Sequence, residues 1–341
     1  MSHLCEMSIF KSFSVLSLSL ASLILLSSSP QPASSECKEQ DKLTLLQIKS
    51  SFGNPSSMAD WSNNTDCCAW NGVNCGASSE EIIYLWITNS NTSNRIPPEV
   101  GDLPDLRRLI ISNHPNLAGP IPESITKLQN LQQLIVRGTS ISGDIPRFLC
   151  DMRNLNSLDL SANDFSGPIP ACFGSNLYII DFSYNQLSGH IPCTLFKGYG
   201  GNETILNLRR NHLTGRIPLS FSALNFYKFD LSENNFIGDA SHVFGRSKFT
   251  EEIHLANNGF SFDLSSVTYP LYLSWLDISH NRIRGSIDEQ ITELQGLGIL
   301  DMSYNRLCGP IPSGGMMRPY DQSSFVHNKC LCGTPLPPCA N

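Results

Sequence analysis

The chain has 341 residues, 40% of them hydrophobic, and a formal net charge of −7. That length and apolar content suffice for a folded core. The acidic balance, with no strongly basic block, argues against a nucleic-acid-binding role.

In chain order, residues 1–35 come first and are not expected to join the fold. Lys11 precedes the apolar run "FSVLSLSLASLILL" (13–26), and small residues follow in "SSSPQPASS" (27–35). That order of charge, apolar run and small residues reads as a secretory signal peptide, absent from the mature protein. Later in the chain no apolar run reaches 18 residues, and the tail "PLPPCAN" is polar. Neither a membrane span nor a lipid anchor is therefore expected, and the mature protein is expected outside the cell.

Residues 36–80 read as a cap. "CKEQDKLTLLQIKSSF" (37–52) has helical periodicity, with Leu43, Leu45, Leu46 and Ile48 as its apolar positions. "DCCAWNGVNC" (66–75) follows it. Cys5 leaves with the signal, so eleven of twelve cysteines remain. Four cluster early, at Cys37, Cys67, Cys68 and Cys75, and four late, at Cys308, Cys330, Cys332 and Cys339. Such brackets suggest disulfide-stapled ends in an oxidising compartment. The clusters lack paired CxxC spacing and neighbouring histidines, so no metal is expected, and no cofactor. Asn63, Asn91 and Asn202 begin sequons and are candidate glycosylation sites.

Residues 81–312 repeat themselves. "LQQLIVRGTSISGDIP" (131–146), "LNSLDLSANDFSGPIP" (155–170), "LYIIDFSYNQLSGHIP" (177–192) and "LGILDMSYNRLCGPIP" (297–312) are representative copies. About ten copies occur, with a period near 24; the first, at 82–97, is degenerate. The pattern LxxLxLxxNxLxGxIP is a leucine-rich repeat. It predicts an α/β solenoid, a curved right-handed superhelix with a concave parallel β-sheet. In LxL the leucines face the core, and the residue between them faces the concave surface. Asn163, Asn185, Asn211, Asn234, Asn258, Asn281 and Asn305 should turn inward as a ladder that satisfies backbone groups. Gly tolerates the bend, and Ile-Pro starts the convex return. No copy can bury its own apolar face, so stacked neighbours do it. Residues 313–341, with "SSFVHNKCLCGTPLPPC" (323–339), form the second cap.

Cys150, Cys172 and Cys193 fall on the convex side of consecutive repeats. Neighbouring coils are close enough there for a bridge. Cys150–Cys172 is the expected pair, with Cys193 free; three isolated small core residues are the alternative.

Signal, caps and SGxIP repeats together resemble the plant class of extracellular leucine-rich repeats. Within it the chain resembles the polygalacturonase-inhibiting proteins, over essentially the whole mature length. The most specific stretches are "GDASHVFGRSKFTEEIHLANNGFSFDL" (238–264), "NRLCGPIPSGG" (305–315) and "NKCLCGTPLPPC" (328–339). The irregular copy at "GDASHVFG", which lacks Ile-Pro, is more telling than the regular ones. The resemblance implies a non-enzymatic protein of the apoplast and cell wall, acting as a monomer. It would inhibit fungal, or insect, endopolygalacturonases in plant defence by laying its concave face over their substrate cleft. It also implies the disulfides Cys37–Cys67, Cys68–Cys75, Cys308–Cys330 and Cys332–Cys339. Inhibition would rest on positions matching Asp159, Ser183, Asp230 and Glu251. Of the family's basic row for pectin only Arg210 survives; Glu233, Asn257 and Ser279 replace the others, so pectin binding is not expected to carry over. The cysteines at 150 and 172 depart from the family and look more like receptor-like ectodomains.

Along the concave face the LxL position gives a column: Trp86, Ile110, Ile135, Asp159, Asp181, Asn207, Asp230, His254, Asp277 and Asp301. Glu233, Glu251 and Glu252 add acid beside it, and Arg107, Arg108, Arg137, Arg209 and Arg210 add base. Tyr178, Tyr184, Tyr227, Trp275 and Tyr304 supply aromatic area. An acidic, aromatic face suits a partner whose cleft holds an anionic polymer and is therefore basic. The rival reading of "LDLS" is plain repeat consensus. A further rival is a receptor-kinase binding module, and another is an ice-binding scaffold, for which no flat Thr or Asn array is visible. Stacked carboxylates could mimic a glycosidase pair, but an open sheet has no water-excluding pocket to raise one pKa.

Overall fold

A computed structural model describes residues 37–77, 80–88, 95–173, 176–199, 201, 204–317 and 319–339. The expected signal segment, Asn91 and Asn202 lie outside the described residues. Asn63 is exposed on a turn.

The repeats form a leucine-rich-repeat solenoid. Each coil contributes one short strand to a long parallel sheet, from Ile82–Thr88 through Arg108–Gly119 and Gln133–Asp144 to Ile299–Asp301. The pairing is in register from coil to coil, Leu85 with Leu109, Leu134, Leu158 and Ile180. These core residues are fully buried and stack into one continuous apolar column. A second parallel ladder, absent from the sequence reading, runs along the LxG segments. It joins Ser142–Asp144, Asp164–Gly167, Gln186–Gly189, His212–Gly215, Asn235–Gly238 and Gly259–Phe260. The closing glycine is part of that ladder rather than a bare bend. Gly215, for example, has φ +86°, and a Cβ there would collide with the His190 ring. The ladder breaks after the irregular copy, where an isolated bridge, Asp263 to Arg284, replaces it. Beyond the break Arg284–Gly285, Arg306–Pro310 and Cys330–Cys332 form a separate sheet.

The return side carries single turns of 3-10 helix after Ile-Pro, such as Glu123–Lys127, Arg147–Asp151 and Leu219–Ala223. Among the described residues the one α-helix is Glu39–Ser51, in the cap. Its buried face differs from the expected one. Leu45 and Ile48 are buried, but Leu43 is 44% exposed, and Asp41 and Thr44 turn inward. Burial pushes the Asp41 carboxyl above its ordinary value, against the opposing pull of Lys38.

The asparagine ladder forms. Asn211 Nδ2 donates to the carbonyls of Phe182 (2.9 Å), one coil back, and Leu208 (3.1 Å), while its Oδ1 accepts from Leu187 N–H (2.9 Å). Asn163 through Asn305 repeat the Nδ2 bonds, and Asn328 in the second cap adds a rung. Earlier coils substitute other residues. Buried His114 Nε2 lies 3.1 Å from Ile87 O, and Thr139 Oγ1 bonds Asn163 Oδ1.

Disulfides close both caps: Cys37–Cys67 and Cys68–Cys75 at one end, Cys308–Cys330 and Cys332–Cys339 at the other. Cys150–Cys172 links consecutive coils, and Cys193 is free and exposed. No helix among the described residues is long and apolar enough to cross a membrane. The Asn211→Ala variant would leave the Leu187 N–H unpaired in the core and strip the Phe182 carbonyl of its bond from the next coil, leaving it the one from Asn185 Nδ2 at 3.1 Å. It should lower unfolding free energy by about 1–3 kcal/mol in a urea titration, the cost of one orphaned buried group.

Candidate partner-binding face

Strand register assembles the face. Trp86, Ile110, Ile135, Asp159, Asp181, Asn207, Asp230, His254, Asp277 and Asp301 are direct neighbours on successive strands, the column expected from LxL. Strand spacing places these side chains about 4.8 Å apart.

The aspartates are not simply solvent-facing, as the alternation suggests. Each turns one oxygen back onto its own chain. Asp181 Oδ1 accepts from Ser183 N–H (3.0 Å) and Ser183 Oγ (2.6 Å). Asp230 does the same with Ser232, Asp277 with Ser279, and Asp301 with Ser303. Asp159 accepts from Ser161 N–H at 2.9 Å. The D-x-S pattern thus locks the strand end by a local side-chain-to-backbone bond. Asp230 is only 4% exposed, and Ser183 is 3% exposed. Ser183 is therefore a structural donor to Asp181, and Asp230 offers little surface. The local serine or its backbone N–H claims one oxygen of each aspartate, and in some the second is engaged as well. In Asp181 the second oxygen accepts from Asn207 Nδ2 at 2.9 Å.

Stacking also shifts titration. Burial raises the Asp159 carboxyl above its ordinary value, with Asp181 adding to the rise and Ser161 hydrogen bonds opposing it. Asp277 is raised in the same way, with Asp301 adding and His254 opposing. For Glu252, burial is outweighed by His254 and Lys228, so its carboxyl sits below the ordinary range.

Several charges beside the column are already paired. Arg209 meets Glu233 at 2.6 Å, Lys228 meets Glu252 at 3.2 Å, and Arg137 meets Asp159 at 3.7 Å. His254, 7% exposed, lies between Glu252 (3.1 Å) and the Trp275 ring (4.8 Å between centroids). Glu251 has no cationic partner among the described residues.

A second column borders the first, at the residue before each ladder asparagine. Ala162, Tyr184, Arg210, Glu233, Asn257, His280, Tyr304 and His327 all have φ between 52° and 58°. Non-glycine residues rarely adopt this left-handed region. The ladder holds them there, and their side chains project outward in a row. Tyr184 lies under the guanidiniums of Arg209 and Arg210, and Tyr304 stacks between His280 and His327 at 4.1 and 4.2 Å. No periodicity signal marks this column, because its residue types vary freely. The sequence reading also missed an aromatic edge before the strands. There Phe249 stacks on Tyr272 at 5.7 Å, both well exposed, close in sequence to exposed Tyr227 and Trp275. They precede the LxxL template, where apolar residues have no core role.

Among known proteins, residues 38–76 match the Leucine rich repeat N-terminal domain, and 154–176, 176–197, 204–224 and 272–294 match the Leucine Rich Repeat. Polygalacturonase inhibitor 1 of Arabidopsis thaliana is 43% identical, over 89% of this chain and 92% of that protein. The polygalacturonase inhibitor of Pyrus communis is 44% identical, over 94% and 97%. The chain belongs to the polygalacturonase-inhibiting protein family. A solved plant ice-binding protein shares the fold closely, with TM-score 0.86 and 39% identity over 89% of this chain and 99% of that one. Global likeness therefore does not by itself separate activities within this fold; the face has to.

The raised Asp159 and Asp277 give a pH prediction. A carboxyl whose folded pKa exceeds its unfolded value contributes stability below the unfolded pKa, and that contribution is lost as pH rises through the folded pKa. Replacing both with Asn keeps the Oδ1 acceptor and removes the charge. The D159N/D277N variant should match the parent in thermal midpoint near pH 3.5 and exceed it at pH 7. An equal difference at both pH values would contradict the assignment.

Proposed function

We propose that this protein is a secreted inhibitor of fungal endopolygalacturonases, working in the apoplast and cell wall. It binds through the concave face and obstructs the substrate cleft. The observation that carries this reading is the half of the face from Asp181 to Asp301. There the partly exposed carboxylates of Asp277 and Asp301, Glu251 with no cationic partner among the described residues, and exposed aromatics lie close together. A cleft that grips an anionic polymer must present cations at its rim. An acidic surface steers toward that rim, and aromatic rings supply contact area once docked. Relatives named as polygalacturonase inhibitors, matched over nearly their whole length, support it.

The chemistry favours obstruction over catalysis. The aspartates lie on an open sheet and each spends one oxygen on the local serine lock. Nothing there isolates a single protonated carboxyl opposite a nucleophile. The protein needs no cofactor for this role, and we propose that it acts as a monomer.

Purified secreted protein, assayed against a panel of fungal and insect endopolygalacturonases by release of reducing ends, should inhibit some of them. Silence across a broad panel would overturn the reading. Glu251→Lys removes the acid without touching the serine locks. It should weaken inhibition of a sensitive enzyme about tenfold, about 1.4 kcal/mol, mainly through slower association. Trp275→Ala should cost about 2 kcal/mol through faster dissociation.

A further inference from the structure

The irregular copy leaves its mark on the return side. In three successive coils the closing glycine is followed by His190-Ile191-Pro192-Cys193, Arg216-Ile217-Pro218-Leu219 and Asp239-Ala240-Ser241-His242. The third lacks Ile-Pro. Buried Ala240 and the small Ser241 stand where Ile217 and Pro218 stand one coil back, and they leave space beside them. A recess of about 690 Å³ opens there, with Ile191, Pro218, Leu219 and Ile237 on its apolar side. Leu219 is 77% exposed, more than any other large apolar side chain among the described residues, and Ile237 is 51% exposed.

Glycines order the polar side of the recess. The Arg216 stem lies across Gly238, where a Cβ would come within 3.0 Å of Arg216 Cγ, and the His190 ring packs on Gly215 in the same way. Only glycine lets a side chain run so close to the backbone of the next coil. Arg216 meets no carboxylate among the described residues. Asp239 lies one coil on, but its Oδ1 accepts from Ser241 N–H at 2.7 Å. Burial holds the His242 imidazole below its ordinary range, against the opposing pull of its bond to the Pro218 carbonyl, so that ring is neutral at pH 7. Arg216 is thus the permanent cation of the recess, with its charge unspent beside an uncovered apolar floor.

We propose that this recess binds a small aromatic carboxylic acid, its carboxylate on Arg216 and its ring on Leu219 and Ile237. The volume suits a small molecule, for which pockets run from about 300 to 1,000 Å³, and so does a lining that is mostly apolar with a few fixed polar groups. A guanidinium pairs with a carboxylate in a planar fork. A rigid ring covers the apolar floor with little loss of conformational entropy, whereas a flexible acyl chain loses more. A sugar acid would satisfy Arg216 but leave Leu219 and Ile237 in water, so the apolar body is part of the recognition. The recess shares no residue with the aspartate column, and the proposal does not rest on enzyme inhibition.

Cys193, free and exposed, lines the recess and reports on its occupancy. The test follows alkylation of Cys193 by N-ethylmaleimide in the intact secreted protein, by mass spectrometry, with cinnamate, methyl cinnamate or trigalacturonate added. Cinnamate should slow the reaction to a plateau at saturation, and the other two should leave it unchanged at the same concentrations. R216Q should raise the half-protecting concentration about tenfold, the worth of one charge-assisted fork, and L219S should raise it as well. Both side chains are exposed, so neither variant should shift the thermal midpoint. R282Q removes an exposed arginine elsewhere and should behave like the parent. No protection by cinnamate, equal protection by its methyl ester or by trigalacturonate, or an unchanged half-protecting concentration in R216Q would overturn the proposal. Self-association in sedimentation that L219S abolishes and cinnamate does not would assign the recess to a second copy and overturn it too. No polygalacturonase enters the assay, so its failure leaves the inhibitor reading untouched.

Discussion

The buried asparagine amide is the interaction on which the rest depends. A coil of about 24 residues turns back on itself each time and strands backbone carbonyls and N–H groups inside an apolar core. The amide supplies donors and an acceptor at one point, so it can bond its own coil and the preceding one together. That couples the coils in a single register. Were one rung lost, the backbone N–H bonded to its amide oxygen would be orphaned and the coil boundary would lose its side-chain bond.

Register then converts sequence positions into surface columns. The LxL position becomes a line of carboxylates, and the residue before each asparagine becomes a line of outward side chains in the left-handed region. The first column serves two purposes. One aspartate oxygen ties down the strand end through the serine two residues on, and the second is bonded to Asn207 in Asp181 and paired with Arg137 in Asp159. Charge reversal at these aspartates would therefore damage the strand end as well as the surface. Glu251 is different, because its carboxylate has no such structural duty.

The face is polarised along its length. Its first coils present arginines without acidic partners, and its later coils present carboxylates and aromatic rings. Burial, with a smaller addition from the neighbouring aspartate, raises the cost of ionising Asp159 and Asp277.

The repeat was legible from the sequence because leucine periodicity, inward asparagine and glycine each answer a local requirement that every coil shares. The aspartate column followed from that period, the Cys150–Cys172 bridge from the closeness of neighbouring coils, the stapled ends from the clustering of cysteines, and their pairings from the family resemblance. Four things depended on tertiary structure. The second parallel ladder needs neighbouring LxG segments to meet. The inward turn of Asp41 in place of Leu43 depends on what the cap helix packs against. The serine locks that bury Ser183 and most of Asp230 depend on side-chain rotamers, which alternation cannot specify. The pairing of Arg209 with Glu233, and the lack of any such partner for Arg107 and Arg108 among the described residues, depend on which side chains adjacent coils bring within reach. Periodicity determines which face a residue lies on; only the stacked neighbours decide whether its charge is spent.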